Sequence, residues 1–250
     1  MKGRVDFTAP IADGSITFPE FSLKPPHAQC SSVQLACPDG GKITGRVWVH
    51  GVPTHEDGIQ LAQQIFESLL TRLAYNQDLI ASLSTLTSSA FEPDTPSSGT
   101  DLTPGTGSLG LTGYAPRVLR SVDTLPLQEL LEAPAPIEDL PILHFRSACI
   151  ATGPVEEFML LYRLLLELHK DKQKLVEISI RRYDSNIQMT PSPKSPHEPE
   201  SLYTRLRNEL AHHREGVDYS KTKLLMVSHI GGLRKLVRMA IEERSTERTL

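Results

Sequence analysis

Residues 43–57 read Ile-Thr-Gly-Arg-Val-Trp-Val-His-Gly-Val-Pro-Thr-His-Glu-Asp, and within them the pattern changes from that of a strand to that of a helix. In the first half, Val47 and Val49 alternate with other side chains, which is typical of a β-strand with one covered face. The second half ends in Thr54-His55-Glu56-Asp57, a variant of the capping box that marks a helix start. The stretch therefore marks the change from a small β-rich N-terminal region to helices, and with a helical bundle in the C-terminal part it predicts an α+β fold.

Upstream of this stretch, the chain reads as short strands separated by turns. The segment Asp39-Gly40-Gly41 lies between the apolar runs Val33–Cys37 and Ile43–Val49, a spacing that favours a β-hairpin. The expected strands are Val5–Phe7, Ile16–Phe18, Val33–Leu35 and Ile43–Val49.

Downstream, apolar residues recur at the helical period and predict one amphipathic helix of about five turns, which a continuation through Leu83 would lengthen. These residues are Ile59, Ala62, Ile65, Phe66, Leu69, Leu70 and Leu73. We therefore interpret residues 1–84 as a β-rich region with one long helix. Residues 85–116 are rich in Ser, Thr, Gly and Pro and predict a flexible loop. Gly105–Gly110 fits a dinucleotide fingerprint, but it lies within this loop, without the strand that such a site requires.

The remaining residues, 117–250, predict a helical domain. A long helix is expected over 154–183, with Pro154 at its first position. Further helices are expected over 139–150, 201–214 and 220–244. In the last helix, Gly231-Gly232 predicts a kink or a close packing contact. Its expected inward residues are Leu224, Val227, Ile230, Leu233 or Leu236, Val237 and Ile241.

Composition narrows the function classes. The formal net charge of −4 argues against a broad basic surface that grips nucleic acid, and no DNA partner is expected. The chain has no apolar run long enough for a membrane span and no signal-peptide core near its start, so a cytoplasmic protein is expected. The three cysteines are too few for a disulfide framework. His27, Cys30 and Cys37 lack the spacing of a zinc site, so neither a metal nor a cofactor is expected.

The helix expected over 201–214 carries the candidate site. Arg207 and His212 lie about 140° apart around such a helix, with the small residues Thr204 and Ala211 between them. Leu202, Leu206 and Leu210 form the opposite, core-facing side. Arginine offers a planar fork of donors to a phosphate, and histidine can carry a proton near neutral pH. This pattern indicates a shallow phosphate site.

Two plainer interpretations stay open at this point. Arg207 can be a solvated surface residue, and His212 can simply complement the dipole at the end of its helix. If the helix instead forms the phosphate site, Asn208 would either orient His212 or contact a ribose hydroxyl.

The segment Arg207-Asn208-Glu209-Leu210-Ala211-His212 resembles the signature of HEPN (higher-eukaryote and prokaryote nucleotide-binding) domains, and the resemblance covers about residues 140–244. It implies that residues 117–250 form a HEPN-like bundle that pairs as a homodimer and binds RNA or a nucleotide. In ribonuclease members, a ribose 2′-hydroxyl attacks the adjacent phosphate without a metal. The resemblance then makes Arg207, Asn208 and His212 catalytic: Arg207 would stabilise the phosphorane, His212 would transfer a proton or hold the phosphate, and Asn208 would support both.

Two function hypotheses follow. The first is a metal-independent endoribonuclease or nucleotide-binding effector of a bacterial defence or stress system, with Arg205 and Arg214 as further nucleic-acid-binding residues beside the motif. The second is a non-catalytic HEPN-like accessory or interaction protein, because the layout around 157–163 and 203–209 is also similar to the J-type accessory proteins of bacterial methylamine utilisation operons. A basic rim around Arg207, from Arg205, Arg214 or Lys221, favours the first hypothesis. A motif covered by the protein's own residues favours the second.

Overall fold

The computed structural model describes residues 1–13, 16–24, 27–93, 120–133, 139–192, 199–212 and 216–249. The chain divides into two compact units, an N-terminal unit, Met1–Ala135, and a C-terminal unit, Pro136–Leu250. The first is built on a β-sheet and the second is mainly helical, which confirms the α+β class.

The N-terminal unit contains one sheet in the order β5-β1-β4-β3-β2-β7, with β6 also paired to β1. Its strands are β1 Lys2–Asp13, β2 Ile16–Leu23, β3 Cys30–Cys37, β4 Lys42–Val49, β5 Ile80–Ala81, β6 Thr85–Glu92 and β7 Arg120–Ser121. The expected hairpin is confirmed, since β3 and β4 pair antiparallel. Its turn depends on Gly40, at a φ of 69°, and on the Asp39 carboxylate, which accepts hydrogen bonds from the backbone of Gly41 and Lys42.

Helix α1, His55–Gln77, packs on β1 and β4. The Thr54 hydroxyl caps it by accepting a hydrogen bond from the Asp57 N–H at 3.1 Å, as the capping pattern predicted. Phe66 and Leu73, at 0% exposure, lie on its buried face. The helix ends at Asp78, whose left-handed φ of 57° closes the last turn, so the expected continuation to Leu83 does not occur.

The loop expected over 85–116 is wrong in its first part. Residues 85–92 form strand β6, in which Ser and Thr side chains are tolerated because the strand pairs with β1. Residues 94–119, including Gly105–Gly110, lie outside the described residues. The helical domain expected from residue 117 also begins later, because β7 and helix α2, Thr124–Glu132, belong to the N-terminal unit.

The C-terminal unit consists of five helices and a two-stranded ladder within the described residues. They are α3 Asp139–Cys149, α4 Pro154–Leu168, α5 Gln173–Tyr183, β8 Met189–Pro191, β9 Pro199–Ser201, α6 Leu202–Ala211 and α7 Tyr219–Thr249. The prediction of a single helix over 154–183 is wrong, because the helix is interrupted at residues 169–172. There Lys170 and Asp171 adopt left-handed φ values of 56° and 58°, and the Asp171 N–H returns to the Leu166 carbonyl at 2.8 Å.

The inward face of α7 is partly different from the expected one. Leu224 and Val227, expected inside, are 71% and 46% exposed, whereas Met226 is fully buried. Toward the end of the helix the expectation holds, since Leu233, Leu236, Val237 and Ile241 are buried. At Gly232 the helix makes the predicted close approach: a Cβ atom there would lie 2.3 Å from the Tyr203 hydroxyl.

Candidate functional site

Helix α6 carries the predicted motif. Its first turn is capped by Ser201, whose hydroxyl accepts a hydrogen bond from the Thr204 N–H at 3.4 Å. Leu202 and Leu206 are buried as the pattern predicted, which fixes the side of α6 that faces the core. The helix ends at His212, whose N–H donates to the Asn208 carbonyl at 3.1 Å.

The structure brings Arg207, Asn208 and His212 together in what we call the arginine–histidine site. The Arg207 Nη1 atom lies 3.5 Å from His212 Nε2, at the exposed end of α6. The same Nη1 donates to Asn208 Oδ1 at 2.9 Å. Because guanidinium and imidazole lie side by side at the end of a helix, one phosphate group can contact both.

Asn208 has a role that the sequence did not predict. Its side chain orients Arg207 instead of His212, and it is only 7% exposed. Its Nδ2 donates to the Glu200 carboxylate on β9 at 3.2 Å. Asn208 therefore ties α6 to β9 and holds the guanidinium from one side, whereas direct contact with a ribose hydroxyl, one of the two expectations, does not fit its burial.

Of the two additional basic residues, Arg205 does not contribute to the expected rim. Arg205 Nε lies 3.5 Å from the Glu209 carboxylate, so its charge is compensated within α6. Glu209 in turn accepts a hydrogen bond from the Thr222 hydroxyl on α7 at 2.6 Å, which places this pair between α6 and α7. Arg214 lies outside the described residues.

Beneath the site runs a buried series of hydrogen bonds, which we call the hydroxyl chain. The Tyr162 hydroxyl on α4 lies 2.7 Å from the Thr204 hydroxyl, which lies 3.2 Å from the Ser201 hydroxyl. Ser201 donates through both its backbone N–H and its hydroxyl to the Glu177 carboxylate on α5, at 3.1 and 3.3 Å. Thr204, expected on the open floor between Arg207 and His212, is instead fully buried in this chain.

Tyr162 remains a neutral phenol at physiological pH. Burial raises its pKa to about 12, and the Thr204 hydrogen bond and the charge of Arg207 oppose this shift only in part. Its ring lies under the Arg207 guanidinium, 5.8 Å from Cζ to the ring centroid. Tyr162 therefore supports the site as a surface and a hydrogen-bonding partner, not as an acid or base.

Sequence reasoning missed Tyr162, Glu177 and Glu200. One signal was available for Tyr162, because a tyrosine on the apolar face of a helix usually needs a partner for its hydroxyl. No comparable signal marks the two glutamates, since they come from other elements and approach α6 only in the folded unit.

Elsewhere, the chemically reactive side chains serve the fold. The Cys37 and Cys30 thiols lie in the sheet and donate to the carbonyls of Ile16 and Ser32, at 3.2 and 3.4 Å. Burial raises the pKa of Cys37 to about 11. Within the described ranges no group of three or more His, Cys, Asp or Glu residues could hold a metal ion. Among the helices of the described part of the chain, none combines the length and hydropathy of a membrane span.

Comparison of the chain with models of known protein families, with curated proteins and with solved structures found no significant match. The HEPN and methylamine-utilisation resemblances therefore stay predictions that rest on the motif and on its geometry.

Proposed function

We propose that the C-terminal unit is a HEPN-like module that binds a phosphate of RNA or of a nucleotide through Arg207 and His212. The observation that carries the proposal is the 3.5 Å approach of Arg207 Nη1 to His212 Nε2 at the exposed end of α6. A guanidinium next to an imidazole is unfavourable when the imidazole is charged, and an anion that contacts both groups relieves this repulsion.

Arg207 keeps donors for such an anion. Among the described residues, its hydrogen bonds to Asn208 and His212 both involve Nη1. Arginine has five N–H donors in a fixed plane, so Nε and Nη2 remain suited to a bidentate contact with phosphate oxygens.

The charge distribution also supports this placement. The C-terminal unit has 18 Lys and Arg against 16 Asp and Glu, a net charge of +2, whereas the N-terminal unit has 8 against 14, a net charge of −6. The acidic balance of the whole chain thus comes from the N-terminal unit. The unit with the motif does not share it and repels RNA less than the total suggests.

If the module is catalytic, the reaction is transesterification of RNA. The ribose 2′-oxygen forms a bond to the adjacent phosphorus, the bond to the 5′-oxygen breaks, and a cyclic phosphate and a free 5′-hydroxyl result. On this chain, His212 would transfer the proton and Arg207 would stabilise the charge that develops on the phosphorane oxygens. The resemblance also implies that two HEPN-like modules pair, so that both copies of the motif face one cleft.

A second candidate function is a non-catalytic accessory or interaction protein. It is favoured by the engagement of Arg205 and Asn208 with the protein's own acids, Glu209 and Glu200. In that case Arg207 and His212 would lie at an interface with a protein partner.

Incubation of the purified chain with total cellular RNA in the presence of a chelator tests the proposal. We expect cleavage by the wild type and its loss in Arg207→Ala and His212→Ala. The matched controls are Arg163→Ala and His144→Ala, which remove the same residue types from α4 and α3 at exposed sites. RNA binding that depends on Arg207, without cleavage, would support the binding module alone. Absence of both would favour the accessory role.

A further inference from the structure

The Arg207 guanidinium is held against an aromatic ring that belongs to another helix. Its Cζ lies 5.8 Å from the centroid of the Tyr162 ring on α4. A cation at this distance from the ring face is attracted by the ring quadrupole, and the attraction strengthens where water is excluded. Tyr162 is only 1% exposed, so its ring offers such an environment.

The hydroxyl chain fixes the position of that ring. The Tyr162 hydroxyl is bonded to Thr204, Thr204 to Ser201, and Ser201 to the Glu177 carboxylate, all of them buried. A tyrosine anchored at its far end keeps its ring in place beside Arg207, because a change of χ1 would break the 2.7 Å contact. The close packing around this buried side chain, at 1% exposure, opposes rotation of the ring about χ2.

A second contact restrains the guanidinium from its edge. Asn208 Oδ1 accepts from Nη1 at 2.9 Å, and Glu200 fixes the Asn208 amide in turn. The face of the guanidinium is thus restrained by Tyr162 on α4, and its edge is restrained by Asn208, which Glu200 on β9 holds. Together these contacts limit the tilt and the rotation of the guanidinium. A long arginine side chain loses much rotamer freedom when it binds a ligand, and restraint before binding reduces that cost.

We propose that Tyr162 is a positioning residue of the arginine–histidine site: its ring holds the Arg207 guanidinium in the orientation that receives a phosphate. The inference rests on the proposed function for its purpose, but the positioning itself can be measured without any ligand. It assigns the ring, not the hydroxyl, to the contact with Arg207, while the hydroxyl anchors the ring.

The direct test is the nitrogen–proton NMR signal of the Arg207 Nε–H group in the full chain, identified by its absence in Arg207→Lys. In the wild type we expect a sharp signal displaced by the ring current. Tyr162→Phe keeps the ring and should keep the displacement. Tyr162→Leu removes the ring and should return the signal to the position of a solvated arginine. Tyr162→Met, whose side chain fills gaps readily, replaces the leucine variant if that one does not fold.

Phe158→Leu is the matched control. Phe158 is on the same helix at 0% exposure, and its ring packs on Tyr203. The Phe158→Leu variant should loosen the core about as much as Tyr162→Leu does, and it should leave the Arg207 signal displaced. An Arg207 signal that is unchanged in Tyr162→Leu, or that moves equally in Phe158→Leu, would overturn the proposal.

Binding of a short single-stranded RNA connects the positioning to function. Tyr162→Leu should weaken binding about tenfold, and Tyr162→Phe by no more than about twofold, in line with the usual strength of a desolvated cation–π contact. Full affinity in Tyr162→Leu would overturn the role of the ring in ligand binding. If the wild type does not bind RNA at all, the proposed function fails, while the NMR comparison still decides whether Tyr162 positions Arg207.

Discussion

The two units differ in what they bury. Within the described residues, the core of the N-terminal unit is apolar apart from Thr71. In its described part, the C-terminal unit also buries nine polar or charged side chains: Arg146, Glu157, Glu177, Ser179, Glu200, Ser201, Thr204, Asn208 and Thr222. A buried polar group is costly unless it is hydrogen-bonded, so the second unit depends on specific partners where the first depends on packing.

The difference locates the candidate site. Five of these polar residues, Glu177, Glu200, Ser201, Thr204 and Asn208, are joined to one another or to Arg207 by the hydrogen bonds around α6. An apolar core of the same volume would satisfy stability alone. Buried hydrogen-bond networks instead specify one arrangement of side chains, which is what a site with a fixed guanidinium requires.

The largest effect is expected from a cavity in the apolar unit. Phe66 is fully buried, and its ring stacks on Phe7 with centroids 5.2 Å apart. Phe66→Ala should lower the free energy of unfolding by about 4 kcal/mol, because it removes this packing and leaves a void. Urea unfolding followed by the fluorescence of Trp48, the only tryptophan of the chain, measures the change. Leu86→Ala, at a 44% exposed position in the same unit, should cost less than about 1 kcal/mol, and equal losses would contradict the comparison.

The matching prediction for the polar unit concerns a charge. Arg234 on α7 donates from Nη2 to the Glu157 carboxylate on α4 at 2.9 Å, and the Glu157 side chain is 7% exposed. Arg234→Met removes the cation beside this buried carboxylate and should lower the free energy of unfolding by about 3 kcal/mol. Urea unfolding followed by far-UV circular dichroism measures the loss.

The control for that prediction is Arg163→Met. Arg163 also pairs with a glutamate, Glu167, but its side chain is 76% exposed, and a pair of this kind contributes less than about 0.5 kcal/mol. Adding Glu157→Leu to Arg234→Met should recover part of the lost stability, because no unpaired charge then remains. A double variant as unstable as the single one would show that packing, not charge, explains the loss.

Local signals in the sequence predicted the N-terminal unit well. The hairpin turn at Asp39–Gly41 and the cap at Thr54 are decided by residues adjacent in the chain, and both are confirmed. Strand β6 was missed because its Ser- and Thr-rich segment becomes a strand only by pairing with β1, some 80 residues away in the chain. In that pairing Asp6 faces Ser88.

The C-terminal unit was harder for the same physical reason. The helical period continues from α4 into α5, so nothing in it marks the break at Lys170 and Asp171. The position of Arg207 and His212 on one helix predicts that they flank one surface, although residues five apart are not direct neighbours on a helix. Tyr162, in contrast, is 42 residues from Thr204 in the chain, and no periodicity within either helix indicates that they meet.

A smaller effect should separate two adjacent glycines of α7. A Cβ at Gly232 would lie 2.3 Å from the Tyr203 hydroxyl, whereas a Cβ at Gly231 meets nothing within 4 Å. Gly231→Ala should stabilise the helix slightly, because alanine has the higher helix propensity. Gly232→Ala gains the same propensity but must displace a buried ring, so it should be less stable than Gly231→Ala by about 2 kcal/mol. Thermal unfolding of the two variants measures the difference, and equal stabilities would show that Tyr203 moves freely, contrary to a tightly specified core.

The smallest effect concerns the buried phenol of Tyr162. Its pKa is raised from 10.0 to about 12 by burial, so the folded chain holds this proton to higher pH than the unfolded chain does. Its contribution to stability is therefore complete below pH 10.0 and is lost as the pH rises toward about 12. Between about pH 8 and about pH 11 the wild type should lose about 1 kcal/mol more than Tyr162→Phe, which has no phenol to ionise. Urea unfolding of both proteins across this range isolates the phenol, because the Cys149 and Cys37 thiols titrate equally in the two. Parallel losses would mean that Tyr162 ionises as readily in the folded chain as in the unfolded one. The hydroxyl chain would then be open to water, and the contrast between the two units, which depends on a closed network, would fail.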